Sequence, residues 1–293
     1  MSPTQQVTVV REIDPSARIA PDAKIGPFSV VGPQVTIGPL TVLRRRVTVT
    51  GRTTIGSGND IEEGCILGAP PQDLKYAGGP TRLVIGHRNT LGRNVTAHVG
   101  TEVGGYVTRI GDDNVLEASC HVGHDCFVDS GVRLGHSVQL AGHIRVQSGA
   151  VVGDMAGLLQ FTTIGRHSLV GSRTPVRRDV PPYTYFQGHD NDWSPAVRGV
   201  HEQGIAAAGL SRQEEAELRR VLKELFVDEA ALQTKIEHII SMGVEGEAAA
   251  LCEFCQLSLQ GKYGRQREAY RGKAPPEAAP FLPPQAPSGS DRG

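Results

Sequence analysis

An apolar residue recurs at every sixth position through most of this chain, and few folds keep that period. From Ile13 it marks Ile19, Ile25, Val31, Ile37, Leu43, Val49, Ile55, Ile61 and Leu67, then Ile85, Leu91 and Ala97. It runs again from Ile110 through Leu116, Val122, Val128, Leu134, Leu140, Val146, Val152, Leu158, Ile164 and Val170 to Val176. Glycine often follows, as in Ile25-Gly26, Ile37-Gly38 and Val122-Gly123. A helical stripe needs spacings of three or four. Six residues instead suit one short strand and a corner, with glycine where the backbone turns. Three such units close a triangular coil of about eighteen residues, and stacked coils make an all-β parallel β-helix. The scattered strands of a sandwich would not hold this phase.

The period fixes side-chain direction. Alternate residues of a strand face opposite ways, so Cys120 and Val122 point into the prism and His121 points out. His124 follows at the corner. Residues one coil apart stack at roughly 4.8 Å, which puts His124, Gly142 and Gln160 in one column on the outer surface, with His143 beside Gly142.

The rest of the composition narrows the function classes. The 293 residues carry a net charge of −1 and a pI near 6.8, so no bulk electrostatic case exists for nucleic-acid or membrane-surface binding. Aromatics make up 5% and glycine numbers 36, as suits an aliphatic solenoid core. Five cysteines, an odd number, point to reduced thiols in the cytosol. Cys65, Cys120 and Cys126 occupy repeat positions as small core residues, and the lone Cys252-x-x-Cys255 pair lacks the second pair that a zinc site needs. Residues 1–12 hold no signal-peptide apolar run, and no stretch is long and apolar enough for a membrane span. A cytoplasmic protein is expected.

Along the chain, residues 1–12 form a lead-in and 13–182 the β-helix, with excursion loops near 69–82 and 100–108. Loops leaving a rigid scaffold commonly carry function. Residues 183–262 are expected to be a small α-helical C-terminal domain, irregular up to about 200. Ser211 with Glu214 is a capping box, and Leu218, Val221, Leu222, Leu225 and Phe226 mark one helical face. Leu232, Ile236, Ile239 and Ile240 mark a second helix; Leu251, Phe254, Cys255 and Leu259 mark a third. Residues 263–293, proline-rich from 273, are expected to be a disordered tail.

Several segments together carry a specific resemblance: QDLKYAG at 72–78, HVGHDC at 121–126, LAGH at 140–143, QF at 160–161 and DVPPY at 179–183. With the hexapeptide array they resemble the UDP-N-acetylglucosamine acyltransferases that begin lipid A biosynthesis, over roughly residues 12–260. The resemblance implies a left-handed β-helix and a homotrimer whose clefts draw residues from neighbouring prisms. Outward apolar residues such as Val115 and Leu169 are candidates for that contact. It implies transfer of a 3-hydroxyacyl group from acyl carrier protein to the sugar 3-hydroxyl (or 3-amino group) of a UDP-amino sugar, without cofactor or metal. By matching position, His124 is the general base, Asp125 its orienting partner and the Gly142 amide the oxyanion donor. His121, His143 and Gln160 line the cleft, and Asp73 and Lys75 contact the sugar nucleotide.

Those roles agree with the chemistry. A sugar hydroxyl is a poor nucleophile and needs a base titrating near neutrality, which histidine supplies at about 6.5. The thioester carbonyl develops negative charge on attack and needs a fixed donor. Two departures stand out. Leu159 occupies the place of a family histidine, and His201, Gln203 and Ala206-Ala207-Ala208 stand where the family carries an asparagine, an acidic residue and an arginine pair. Weaker hold on the nucleotide is expected. Two other readings compete. One is a γ-carbonic-anhydrase-like zinc enzyme drawing on His121, His124, His136 and His143, which gives the QDLKYAG loop and the C-terminal helices no place. The other is a catalytically silent or acceptor-switched paralogue serving as a binding protein.

Overall fold

Three parallel sheets close into a triangular prism in the computed structural model, which describes residues 10–189, 192–227 and 231–282. The first face stacks Glu12–Ile13, Val30–Val31, Thr48–Val49, Ile66–Ala69, Thr96–His98, His121–Val122, Gln139–Leu140, Gly157–Leu158 and Pro175–Val176 in that order. The second face runs from Arg18–Ile19 to Thr163–Ile164, and the third from Lys24–Ile25 to Leu169–Val170. Strands of two residues suffice because every backbone bond goes to the next coil, as where Val122 pairs with Leu140 and Leu140 with Leu158.

Burial follows the six-residue period. Every sixth aliphatic from Ile25 to Val176 is at most 9% exposed and joins one continuous core. Ile13, in the first described coil, is 40% exposed. An asparagine ladder runs inside the coils: Asn89 donates to Asn59 Oδ1 at 2.9 Å and Asn114 N donates to Asn89 Oδ1 at 2.9 Å, while Asn114 Nδ2 has no partner among the described residues. The cysteines behave as core residues. Cys120 Sγ donates to the Gly135 carbonyl at 2.9 Å and Cys126 Sγ to that of Ala141 at 2.9 Å. Burial pushes both thiols up to about 12, so neither is a nucleophile near neutrality.

The excursions interrupt the chain and the ladder resumes beyond them, with a register shift between Leu67 and Ala69 at the first. Leu67 pairs with Ala97 across the first, and Leu83 with Thr108 across the second. The strands intrude one or two residues into the expected spans, leaving 70–81 and 99–106 outside the coils.

Two expectations for the C-terminal part are corrected. The stretch expected to be irregular is not: Thr184–His189 and Asp192–Val200 pair antiparallel and join the third face through Leu169↔Tyr185 and Val170↔Phe186. Phe186, 2% exposed, closes the end of the prism core. The apolar edge of the last coil otherwise lacks a cover, and a hairpin pairing onto it removes both the open edge and the exposed core. Four helices follow: α1 (Glu202–Ala207), α2 (Arg212–Val227), α3 (Leu232–Ser241) and α4 (Gly246–Gln260). The capping box before α2 forms in both directions, Ser211 N to Glu214 Oε2 at 2.8 Å and Glu214 N to Ser211 Oγ at 3.3 Å. Cys252 and Cys255 lie in the core of the helices.

The second correction concerns the tail. Residues 264–282 are ordered in short 3-10 turns, Gln266–Tyr270 and Pro276–Phe281, lying back along the second face. Few aliphatics hold them. Buried arginines and alanines do, a signal that hydrophobic periodicity does not register. The remaining expected tail, 283–293, lies outside the described residues, as do residues 1–9 of the expected lead-in. Asp179 joins coils and C-terminal part. Its carboxylate accepts from Thr163 N at 2.7 Å, Ser258 Oγ at 2.9 Å and Gln266 N at 2.8 Å, and burial nonetheless pushes it up to about 6.

A core of identical rungs should be sensitive to volume at any of them. Leu116→Ala, at a fully buried rung, is expected to lose about 2–5 kcal/mol in urea unfolding; a loss below about 1 kcal/mol would contradict the continuous core.

Candidate active site

The edge between the first and second faces gathers the candidate site residues. His121–Val122 leads into it and Phe127–Val128 leaves it, so residues 123–126 form the corner. Asp125, His143 and Phe161 repeat there on successive coils in the left-handed conformation, with φ of 59°, 63° and 66°. That backbone is uncommon for side chains larger than glycine's and aims each one outward along the edge.

His124 and Asp125 are hydrogen-bonded neighbours, Nδ1 to Oδ2 at 2.7 Å. Asp125 is wholly buried and His124 only 6% exposed, so the corner histidine expected on an open surface is instead enclosed. The second excursion encloses it. Thr101 N donates to Asp125 Oδ1 at 2.8 Å and Thr101 Oγ1 to Oδ2 at 2.7 Å. Thr108 Oγ1 accepts from Asp125 N at 2.8 Å. Gly104 lies so close that a Cβ there would collide with the carboxylate. Thr101, Gly104 and Thr108 were missed in the sequence, where this stretch registered only as a break in the repeat.

Gly142 sits one coil above. A Cβ at this residue would lie 2.5 Å from His124 Cε1 and 2.6 Å from Nε2, so only glycine lets the His124 ring stand against this backbone. Among the described residues its N–H has no protein acceptor. His143 N donates to the His124 carbonyl at 3.0 Å, its ring meets that of His124 edge-on at 5.1 Å, and it stacks on Phe161 at 4.4 Å.

On the first-face side of the edge, His121 Nδ1 lies 2.8 Å from Thr96 Oγ1 and its ring meets His98 edge-on at 4.8 Å. His98 is a further site residue that the repeat did not single out. It is 8% exposed and its Nδ1 has no partner. The available signal was its triplet His98-Val99-Gly100, which duplicates His121-Val122-Gly123. Burial, followed by the neighbouring histidines, pushes His121 down to about 4. Burial also pushes His143 down to about 4, only partly offset by Asp125. One buried carboxylate cannot hold several imidazolium ions, so these rings stay neutral.

A groove of about 310 Å³ opens beside His121, lined among others by Gln72, Gln139, Leu158, Leu159 and Val176. Leu159, 47% exposed, makes this wall apolar where a histidine was expected. Gln160 is exposed, and its carbonyl accepts from Arg265 Nη1 at 2.9 Å. The first excursion brings Asp73 near enough for its charge to be felt at His143. The Asp73 carboxylate accepts the Lys75 N–H at 3.0 Å, and the Lys75 side chain is exposed. The two excursions are joined where Glu102 Oε1 accepts from Gly79 N at 2.6 Å.

His124, Asp125 and His143 are the described residues whose ligand atoms come within 4.8 Å of one another. The 2.7 Å between His124 Nδ1 and Asp125 Oδ2 is a hydrogen-bond distance; two donors on one zinc ion at about 2.0–2.1 Å would stand roughly 3.3 Å apart. His136 is exposed on a different edge, between the third and first faces. The zinc reading therefore loses its ligand set within this chain. At the far end of the prism, Ala206 and Ala207 lie exposed on α1, and His201 Nδ1 lies 2.8 Å from the His167 carbonyl. Arg219 of α2 reaches α1 but is paired with Glu202 and Glu215 at 2.8 Å each, so it does not restore a free basic pair there.

Residues 179–263 match the family model for domain 2 of UDP-N-acetylglucosamine O-acyltransferase. The whole chain is similar to solved structures of such enzymes. LpxA from Acinetobacter baumannii is 33% identical with a TM-score of 0.77, over 90% of this chain and 98% of that one. The Francisella novicida UDP-N-acetylglucosamine acyltransferase is 27% identical with a TM-score of 0.80, over 97% and 99%. The Moraxella catarrhalis enzyme is 32% identical with a TM-score of 0.76, over 83% and 93%. With that extent of shared fold and sequence, the chain is an acyltransferase and belongs to the UDP-N-acetylglucosamine acyltransferase family.

Proposed function

We propose that this protein transfers a 3-hydroxyacyl group from an acyl carrier protein thioester to the 3-hydroxyl, or a 3-amino group, of a UDP-amino sugar, the opening step of lipid A biosynthesis. One observation carries the reading: His124, Asp125 and the Gly142 amide converge at one edge. A carboxylate only accepts hydrogen bonds, so the 2.7 Å contact puts the proton of His124 on Nδ1. The lone pair is then on Nε2, on the side of Gly142. Nε2 takes the proton of the acceptor hydroxyl as the oxygen attacks the thioester carbonyl. Asp125, itself fixed by Thr101, holds the ring and stabilises the imidazolium that forms. The Gly142 N–H supplies a donor for the oxyanion. As the intermediate collapses, Nε2 returns the proton to the departing thiolate.

His121, His143 and Gln160 border this centre, and Asp73 and Lys75 stand on the first excursion as contacts for the nucleotide. The apolar groove beside His121 suits an acyl chain. Its openness to one side fits a homotrimer in which a neighbouring prism completes the cleft, with Val115 and Leu169, half-buried on the third face, among the candidate contacts. Among the described residues no helix is long and apolar enough to cross a membrane; a cytoplasmic location belongs to the proposal.

His124→Ala is expected to lower kcat by about 10²–10⁴ with hydroxyacyl carrier protein as donor; near-normal turnover would remove His124 as the base. His121 and His143, held near 4, stay neutral through ordinary assay conditions. Replacing either by Gln should therefore lower the whole pH–rate profile without moving its limbs between pH 5 and 9. A moved limb in that range would show that the replaced ring titrates.

The acceptor is the finer question. A charge-assisted hydrogen bond contributes about 1.5–3 kcal/mol, roughly ten- to a hundredfold in affinity. Ala206–Ala208 can make no such contact. Isothermal titration is expected to give UDP-N-acetylglucosamine a weak dissociation constant, or to show preference for another UDP-amino sugar. Submicromolar binding would show that the alanines leave the acceptor site intact.

A further inference from the structure

The functional reading leaves one ordered element unused, the segment 264–282 beyond the end of the family-model match. It leaves α4 and runs back along the second face, on the opposite side of the catalytic edge from the groove. It grips that edge at two places.

At the first, Arg267 Nε donates to the His143 carbonyl at 3.0 Å, and His143 N donates in turn to the His124 carbonyl. Arg265 likewise holds the Gln160 carbonyl one coil on, and Arg271 lies over the Phe161 ring on which His143 stacks. At the second, Ala278 is fully buried against Gly105, where a Cβ would collide with it. Gly105 belongs to the excursion whose Thr101 and Gly104 enclose the Asp125 carboxylate. One end of the segment thus bears on the backbone of the base, and the other on the cage of its carboxylate partner.

The charge pattern argues for more than covering. Arg267 is 3% exposed, and taking a guanidinium out of water is costly unless it is paired. Its Nη1 meets Glu277 at 3.0 Å, and Glu277 also takes Arg145 at 2.7 Å, which reaches Asp129 on the coils at 3.1 Å. An aliphatic residue would cover Phe127 at less cost. Only a planar fork can hold a carbonyl of the edge and a carboxylate of the segment together.

We infer that residues 264–282 form a strap that positions the His124–Asp125 pair, with Arg267 as its positioning residue. The inference rests on the proposed role of that pair in acyl transfer. Arg267 touches no reacting atom. It fixes the height of the His143 peptide, and through it the His124 ring against Gly142. A misplacement of about 1 Å at a reacting group can cost about a hundredfold in rate.

The test is Arg267→Gln in the full chain, assayed for acyl transfer and observed by NMR at the imidazole N–H that His124 donates to Asp125. We expect kcat to fall about tenfold or more, KM for the acceptor to stay within about twofold, and the N–H signal to shift or broaden. Arg220→Gln, which removes an exposed pair with Glu224 on α2, should leave all three unchanged. Wild-type kcat and an unchanged N–H signal in Arg267→Gln, whatever happens to the melting temperature, would overturn the strap. If Arg267→Gln does not fold, Glu277→Gln loosens the same guanidinium from its outer end. It must then give the same two changes at smaller size, and wild-type values there overturn the strap equally. An unmodified protein without acyl-transfer activity would instead sink the functional reading, while the N–H signal still decides the strap.

Discussion

Register between coils is the constraint on which everything else depends. Most coils contribute only two residues per face to the ladder, so one hydrogen bond alone could be satisfied in several alignments. The aliphatic at every sixth position removes that freedom. A slip of one residue would turn Val122 outward and bring the His121 ring into a core that has no partner for it. Because every rung repeats the requirement, the alignment of His124 with Gly142 is set by the whole stack and not by contacts of its own. The site's accuracy comes from the scaffold; its side chains then need only short reach.

The two excursions show how such a scaffold gains function. A prism edge presents side chains to water, where a histidine–carboxylate pair would be screened and the carboxylate would have no fixed tautomeric preference to impose. The loop 99–106 leaves the coil and returns in register, placing Thr101 on both oxygens of Asp125. That converts an exposed corner into a buried one. Burial in turn is what pushes His121 and His143 down to about 4, so both rings are neutral near pH 7. On the proposed mechanism the imidazolium forms on His124 rather than on its neighbours, because Asp125 is directly bonded to His124 and lies 3.8 Å from His143 Nε2.

The prism and the His124–Gly142 alignment were legible in the sequence because a strict period leaves one way to stack. The capping box at Ser211 and Glu214 was legible for a similar reason, being a local pairing with fixed spacing. What escaped was structure whose cause is not periodic. The hairpin 184–200 exists because the last coil has an open end, a tertiary need that no local pattern announces. Thr101, Gly104 and Thr108 sit in a gap of the repeat, where sequence logic sees only an interruption. Residues 264–282 look disordered by composition, yet Arg267, Glu277 and Arg145 pair inside the protein and Ala278 fills a space made by Gly105. Charged residues lower the apparent hydrophobicity of a segment even when their charges are neutralised on folding, so composition cannot distinguish a solvated tail from one held by a buried network.

Separation of parts lets change at α1 leave the edge at His124 unaltered. His124, Asp125 and Gly142 are fixed by coils in the middle of the prism, whereas Ala206–Ala208 lie on α1 past the closing hairpin. In a solenoid each coil contacts only its neighbours, so change at one end is felt weakly several coils away. Leu159 is different, because it lies one coil from Ala141 and shares the groove with His121. Replacing a polar ring there by an aliphatic removes a hydrogen-bonding group from the wall and adds apolar surface to it. On the proposed reading, changes on α1 and changes in the groove can therefore act independently, while the alignment of His124 with Gly142 stays where the register of the coils puts it.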